Sequence, residues 1–240
     1  DIVRDVNRPG RGERGRGPAP SRRSSLGGHD LPRLMETYRR FAELYQGQIH
    51  DRHLFDSPKV SFTFRGSRAL LSIYESSDPS PQFYTQLTFT IPQGWTHRLE
   101  IFPQRHAETD TKYLNVDDIR IGDPHFDPRF GVKSDDREFV REFLEPRVQK
   151  SIDDLRALLG NDKILISVNS SRLMVRKQGI LSELADLTVF ADLSFVVYDR
   201  LYLFWQRASG IEILDDAPAE TDKDPVCQVC GAAIASDVRV

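Results

Sequence analysis

Hydrophobic positions along the chain follow two periods, and the points where one gives way to the other divide it into elements. After Asp30, the residues Leu34, Tyr38, Phe41, Ala42 and Tyr45 recur at i, i+4, i+7, i+8 and i+11, which is one face of a helix. Asp30 is an N-cap type residue, Pro32 suits a first turn, and Gly47 suits a stop. Residues 59–65 then alternate with period two, so Val60, Phe62 and Phe64 share one face of a strand. Gly66-Ser67 is a turn signal. Beyond it Ala69, Leu71 and Ile73 continue on one face, with Leu70 and Tyr74 on the other. Phe83, Leu87, Phe89 and Ile91 mark a third strand, Pro92-Gln-Gly94 a turn, and Arg98 to Phe102 a fourth. The spacing predicts an antiparallel meander with one face in the core and the other wet or covered by helices.

Lys112 to Ile121 is strand-like, and Val132-Lys133 is a short strand ahead of the N-cap signal Ser134-Asp135-Asp136. From Arg137 to Leu159 the period is helical, but Pro146 lacks a donor and clashes with the preceding turn, which predicts a break or kink there. Lys163–Val168 and Leu173–Lys177 flank Asn169-Ser170-Ser171 as a second hairpin. Residues 180–207 carry a broad apolar stripe from Leu181 to Phe204, with Asp186, Asp192 and Asp199 off it, so the longest helix is amphipathic. The fold class expected is α+β. It comprises an antiparallel sheet of hairpins packed by an N-terminal helix, a Pro-interrupted middle helix and a long C-terminal helix.

Composition refines the boundaries. Residues 1–29 are rich in Arg, Gly, Pro and Ser and are expected to form a disordered basic arm, with seven arginines by residue 23 against Asp1, Asp5 and Glu13. Residues 30–208 form the α+β domain, 209–225 an acidic linker, and 226–240 the start of a further module. A net charge of -3 over 240 residues argues against a general nucleic-acid binder, so no specific nucleic acid is expected. No apolar run reaches the ~18 residues of a membrane span. Two cysteines, both near the end, fit a reducing, cytoplasmic setting. The chain begins with Asp1 and not Met, which points to a piece of a longer protein. Any attachment to the cytoplasmic face of a membrane would come from the missing upstream segment.

Chemistry is concentrated in few places. Cys227-Gln-Val-Cys230-Gly231 has the spacing of a knuckle that supplies half of a tetrahedral zinc site; the remaining two ligands would have to follow Val240. A redox dithiol, or no role, are the alternatives. His50-Asp-Arg-His53 would place two imidazoles on one helix face, where a dipole contact explains them as well as metal does. Asp123, His125 and Asp127 lie in a Pro-rich passage where a loop-assembled enzyme site is one reading and Asp-Pro turn chemistry the other. No G-x-S-x-G, P-loop or G-x-G-x-x-G is present.

Two passages carry resemblances. Gly122-Asp-Pro-His-Phe-Asp-Pro-Arg-Phe-Gly-Val-Lys-Ser-Asp-Asp136, followed by helix, hairpin and long helix, resembles an uncharacterised bacterial α+β domain whose members often carry membrane helices and sometimes a C-terminal zinc module. Residues 227–240 resemble the opening of the prokaryotic RING-finger family, although every ligand after Cys230 is absent. That likeness implies zinc at Cys227 and Cys230, a protein partner and, for the intact protein, a ubiquitin-like ligase role. The reading expected is a non-enzymatic interaction or scaffold protein. A regulatory domain of a membrane-anchored protein, or an enzyme built around Asp123, His125 and Asp127, is the alternative.

Overall fold

The computed structural model describes residues 30–50, 57–77, 82–104 and 118–209. The termini, with Cys227 and Cys230, and the segment holding His53 lie outside the described residues. Helix α1 spans Leu31–Leu44, and Asp30 caps it by accepting from the Arg33 N–H at 3.3 Å. Strands β1 (Gln48–His50), β2 (Lys59–Phe64), β3 (Ser67–Glu75), β4 (Phe83–Thr90) and β5 (Leu99–Pro103) follow. Next come β6 (Phe130–Ser134), α2 (Arg137–Phe143), α3 (Pro146–Ala157), β7 (Ile164–Val168), β8 (Arg172–Gln178) and α4 (Leu184–Ala208). Pro146 starts α3, which is where its missing N–H costs nothing. Asp136 caps α2 by accepting from the N–H groups of Glu138 (2.9 Å) and Phe139 (3.0 Å).

All eight strands form one sheet in the order β1-β2-β3-β4-β8-β7-β5-β6, with antiparallel pairing throughout. The α+β class is therefore observed, but the meander ends at β4. Its free edge is taken by β8, so Phe89 pairs with Leu173 and Leu87 with Val175. The fourth predicted strand, β5, instead joins β6 and β7. In the connection between β4 and β5, Trp95 is buried against Phe139 of α2 (5.3 Å between rings) and Phe204 of α4 (6.0 Å). Pro92, which cannot donate to a ladder, begins this excursion. The strand-like stretch ending at Ile121 contributes a single bridge, Asp118 to Lys133, among the described residues.

The helices form one layer: α4 contacts α1, α2, α3 and β4, while α1 covers β1 and β2. Inward-facing Val60, Phe62, Leu71, Leu87, Phe89, Val175 and Ile166 are each at most 5% exposed. Phe195 of α4 reaches across them, stacked on Phe64 at 4.1 Å and edge-on to Phe62 and Phe89 at 6.0 Å. Burial of each such ring contributes about 1.5–3 kcal/mol. At the turn between β2 and β3, Arg65 (φ 47°) and Gly66 (φ 73°) both have positive φ, the geometry that matches strand twist in a two-residue hairpin.

One charge enters the helix-covered face. Lys177 is 0% exposed, and its ammonium donates to the carbonyl of Arg156 at 2.7 Å and of Asn161 at 2.5 Å. It thus satisfies carbonyls left open where α3 ends. Burial pushes its pKa down to about 8, against a smaller upward pull from Asp162.

Candidate functional site

The pairing that turns Leu87 and Val175 inward turns Gln86 and Arg176 outward, on the face that the helices leave uncovered among the described residues. Register aligns Lys59, Ser72, Gln86, Arg176 and Leu165 in one row across β2, β3, β4, β8 and β7. Arg176 is held from three sides. Its Cζ lies 4.0 Å from the Tyr74 ring centre and 5.8 Å from that of Tyr84. Its Nε and Nη2 donate to Gln86 Oε1 at 3.1 and 2.8 Å. Nη2 also sits 3.3 Å from Met174 Sδ. A guanidinium stacked this way gains about 0.5–2 kcal/mol from the ring and forfeits little side-chain freedom on meeting a ligand.

Beside it opens a cleft of about 410 Å³ lined by Tyr74, Arg98, Glu100, Leu165, Arg172 and Met174, among others. Its floor is partly apolar: Met174 is buried and Leu165 half-buried, while Tyr74 remains 37% exposed at the rim. Glu100 supplies a buried carboxylate. The wider face is basic. Lys59, Arg68, Arg98 and Arg172 are exposed on it or at its margin, and none is ion-paired among the described residues. Lys133 lies 4.0 Å from Asp118. This basic surface belongs to a chain whose net charge is -3.

The acidic loop has a different role. Asp123 Oδ1 accepts from the N–H groups of His125 (2.7 Å) and Phe126 (2.9 Å). Those two bonds, led by Phe126, hold its carboxyl below the ordinary value of 3.8. Asp127 takes the N–H groups of Ile121 (3.1 Å) and Gly122 (2.9 Å) on its two oxygens. The His125 carbonyl accepts from Arg129 Nε at 2.5 Å, and Arg129 Nη1 reaches Asp153 at 2.6 Å, tying the loop to α3. Phe126 and Phe130 stack at 4.6 Å beneath it. Carboxylates engaged in this way order a turn, as the Asp-Pro reading of the passage expects.

His50 also departs from expectation. It stands on β1 and not on a helix, and its Nε2 is 2.7 Å from Ser61 Oγ. The helical spacing proposed for it with His53 does not apply to a strand. Among the described residues, no group of three or more His, Cys, Asp and Glu side chains could hold a metal ion. Nor, among them, is any helix long and apolar enough to cross a membrane. Sequence reasoning did not single out Arg176, Gln86 or Tyr84. Their signal is the outward half of the period-two pattern, of which the sequence reading names Leu70 and Tyr74 only.

The sequence matches no known protein-family model. A search of curated proteins likewise finds no relative. Among solved structures the chain is similar to the crystal structure of the mycobacterial trehalose monomycolate transport factor A, TtfA, at 13% sequence identity and a TM-score of 0.49. The likeness covers 70% of this chain and 94% of that one. It is too slight to carry a function across.

Proposed function

We propose that this chain is a non-enzymatic interaction or scaffold protein, whose α+β domain receives an acidic, extended polypeptide on the outer face of its sheet. The observation that carries the reading is Arg176. It is immobilised on Tyr74 and Gln86 beside an open cleft, with Arg98 and Arg172 at the rim. The exposed guanidinium groups of Arg98 and Arg172 can pair bidentately with carboxylates, Arg176 adds fixed positive charge, and the partly apolar floor suits the aliphatic side chains between them. In the same proposal, Cys227 and Cys230 supply two thiolate ligands of a RING-like zinc module that recruits a second protein. The acidic stretch 209–225 sets the distance between the two modules. A cytoplasmic location is part of this proposal.

Site-specific photo-crosslinking in the host cell tests the sheet half. A photoreactive residue at Ser167, inside the cleft, is expected to give a discrete protein adduct that disappears on Arg176→Ala. The same residue at Val189, exposed on α4, is expected to give none. Equal labelling from both positions would sink the reading. The zinc half is tested separately by metal content of the intact protein. About one zinc per RING-like site is expected, lost in Cys227→Ser.

A further inference from the structure

We infer that the basic outer face is occupied, in the free protein, by the chain's own acidic segment 212–224. The inference rests on the reading of this face as the interaction surface and adds its regulation: an acidic partner must displace the segment. Three observations place segment and surface together. The first is where the chain leaves the described domain. Tyr198 donates to Ser67 Oγ at 2.5 Å, Arg65 Nε pairs with Asp199 Oδ1 at 2.5 Å, and Trp205 Nε1 donates to the Gln93 carbonyl at 3.3 Å. The last turns of α4 are thereby fixed to one end of the sheet, at the β2–β3 turn and the segment after β4. The β7–β8 turn lies at that same end, because the Ile91 N–H donates to the Ser171 carbonyl at 3.0 Å.

The second observation is which charges sit there. Arg172 pairs in register with Thr90, Arg68 is adjacent to the Ala69–Phe89 pair, and Arg98 is adjacent to the first residue of β5. All three are exposed without a carboxylate partner among the described residues. The basic rim is therefore at the end of the sheet from which residue 210 departs.

The third is composition. Residues 212–224 hold Glu212, Asp215, Asp216, Glu220, Asp222 and Asp224 against Lys223 alone, interrupted by Ile213 and Leu214. Fully extended, a segment of this length reaches ~40–50 Å, ample for a site beside its point of departure. Tethering also raises its effective concentration to about the millimolar range, so individually weak ion pairs suffice.

Arginine Nε–H resonances of the full chain provide the test, with both cysteines left in place. The chain is compared with a variant carrying Asp215→Asn, Asp216→Asn, Glu220→Gln and Asp222→Asn. Docking predicts that the Arg68, Arg98 and Arg172 signals shift on neutralisation, while Arg40, exposed on α1, does not. Raising salt from about 50 to about 500 mM should produce the same displacement in the unaltered chain and none in the variant. The shifts should be independent of protein concentration. Identical spectra for the two chains, or a difference that vanishes on dilution, would overturn the inference. Adduct yield from Ser167 separates this from the parent reading. An adduct that increases in the neutralised variant supports competition for one surface. An adduct of unchanged yield with unchanged arginine shifts leaves the interaction surface standing and removes the tail from it.

Discussion

Lys177 Nζ lies 2.7 Å from the carbonyl oxygen of Arg156, so an ammonium from the sheet closes the end of a helix in the layer above. Its folded pKa, about 8, is below the ordinary 10.5, chiefly because burial penalises the charged form. The unfolded chain therefore holds more protons between these values, and stability from this group rises with pH across that window. Below about 8 the group is charged in both states and its contribution is flat. The neutral amine still has two hydrogens for its two carbonyl acceptors. Comparing urea midpoints of the wild-type chain and Lys177→Met from pH 7 upward should show the difference shifting in favour of the wild type above pH 8. Parallel curves for the two would refute the assignment.

Asp127 should be a structural residue. Alanine there strands the N–H groups of Ile121 and Gly122, at a cost of about 1–3 kcal/mol, and asparagine costs less because one acceptor survives. Denaturant titration of both variants checks the order.

The lowered pKa of Asp123 carries its own acid dependence. Its stabilising effect is fully present above the ordinary 3.8 and is lost as pH falls through the depressed folded value. Asp123→Asn should flatten this part of the acid-unfolding profile without changing stability's dependence on pH above 7.

Gly131 is required by a close approach and not by its backbone angles. A Cβ there would lie 2.4 Å from Phe102 Cε2 and 2.7 Å from Cζ, since the ring crosses β6 at this point. Gly131→Ala is expected to cost about 1–3 kcal/mol, and Phe102→Leu in the same background to recover part of it. Thermal unfolding of the two variants decides.

Tyr38 is fully buried, and among the described residues its hydroxyl has no partner within hydrogen-bond geometry, Thr85 being its polar neighbour. Tyr38→Phe should therefore leave stability within about 1 kcal/mol of the wild type or raise it. A larger loss would mean that the hydroxyl has a partner after all, with Thr85 the neighbour to examine.

The helices were legible because their signals are local. Asp30, Asp136 and Pro146 stand at helix starts as their chemistry requires, and the stripe from Leu187 to Leu201 is the buried face of α4. The hairpins β2–β3 and β7–β8 were equally plain, although the first turn, expected at Gly66-Ser67, is built one residue earlier by Arg65-Gly66, while Asn169 anchors the second. His50 was misread because a spacing of three has meaning only once the element is known. Likewise, Asp123 and Asp127 are the same residue types in a turn as in a catalytic site, and only their hydrogen bonds tell the two apart.

Periodicity, caps and turns follow from covalent geometry over a few residues, and they were enough to specify the elements and the α+β class. The insertion of β8 between β4 and β7 was decided by tertiary structure. Any apolar strand edge can serve β4, and local periodicity does not choose among them. The Arg176 cluster was decided the same way. Tyr74, Gln86 and Arg176 come from β3, β4 and β8, and sequence distance holds no information about which outward side chains the register will set side by side.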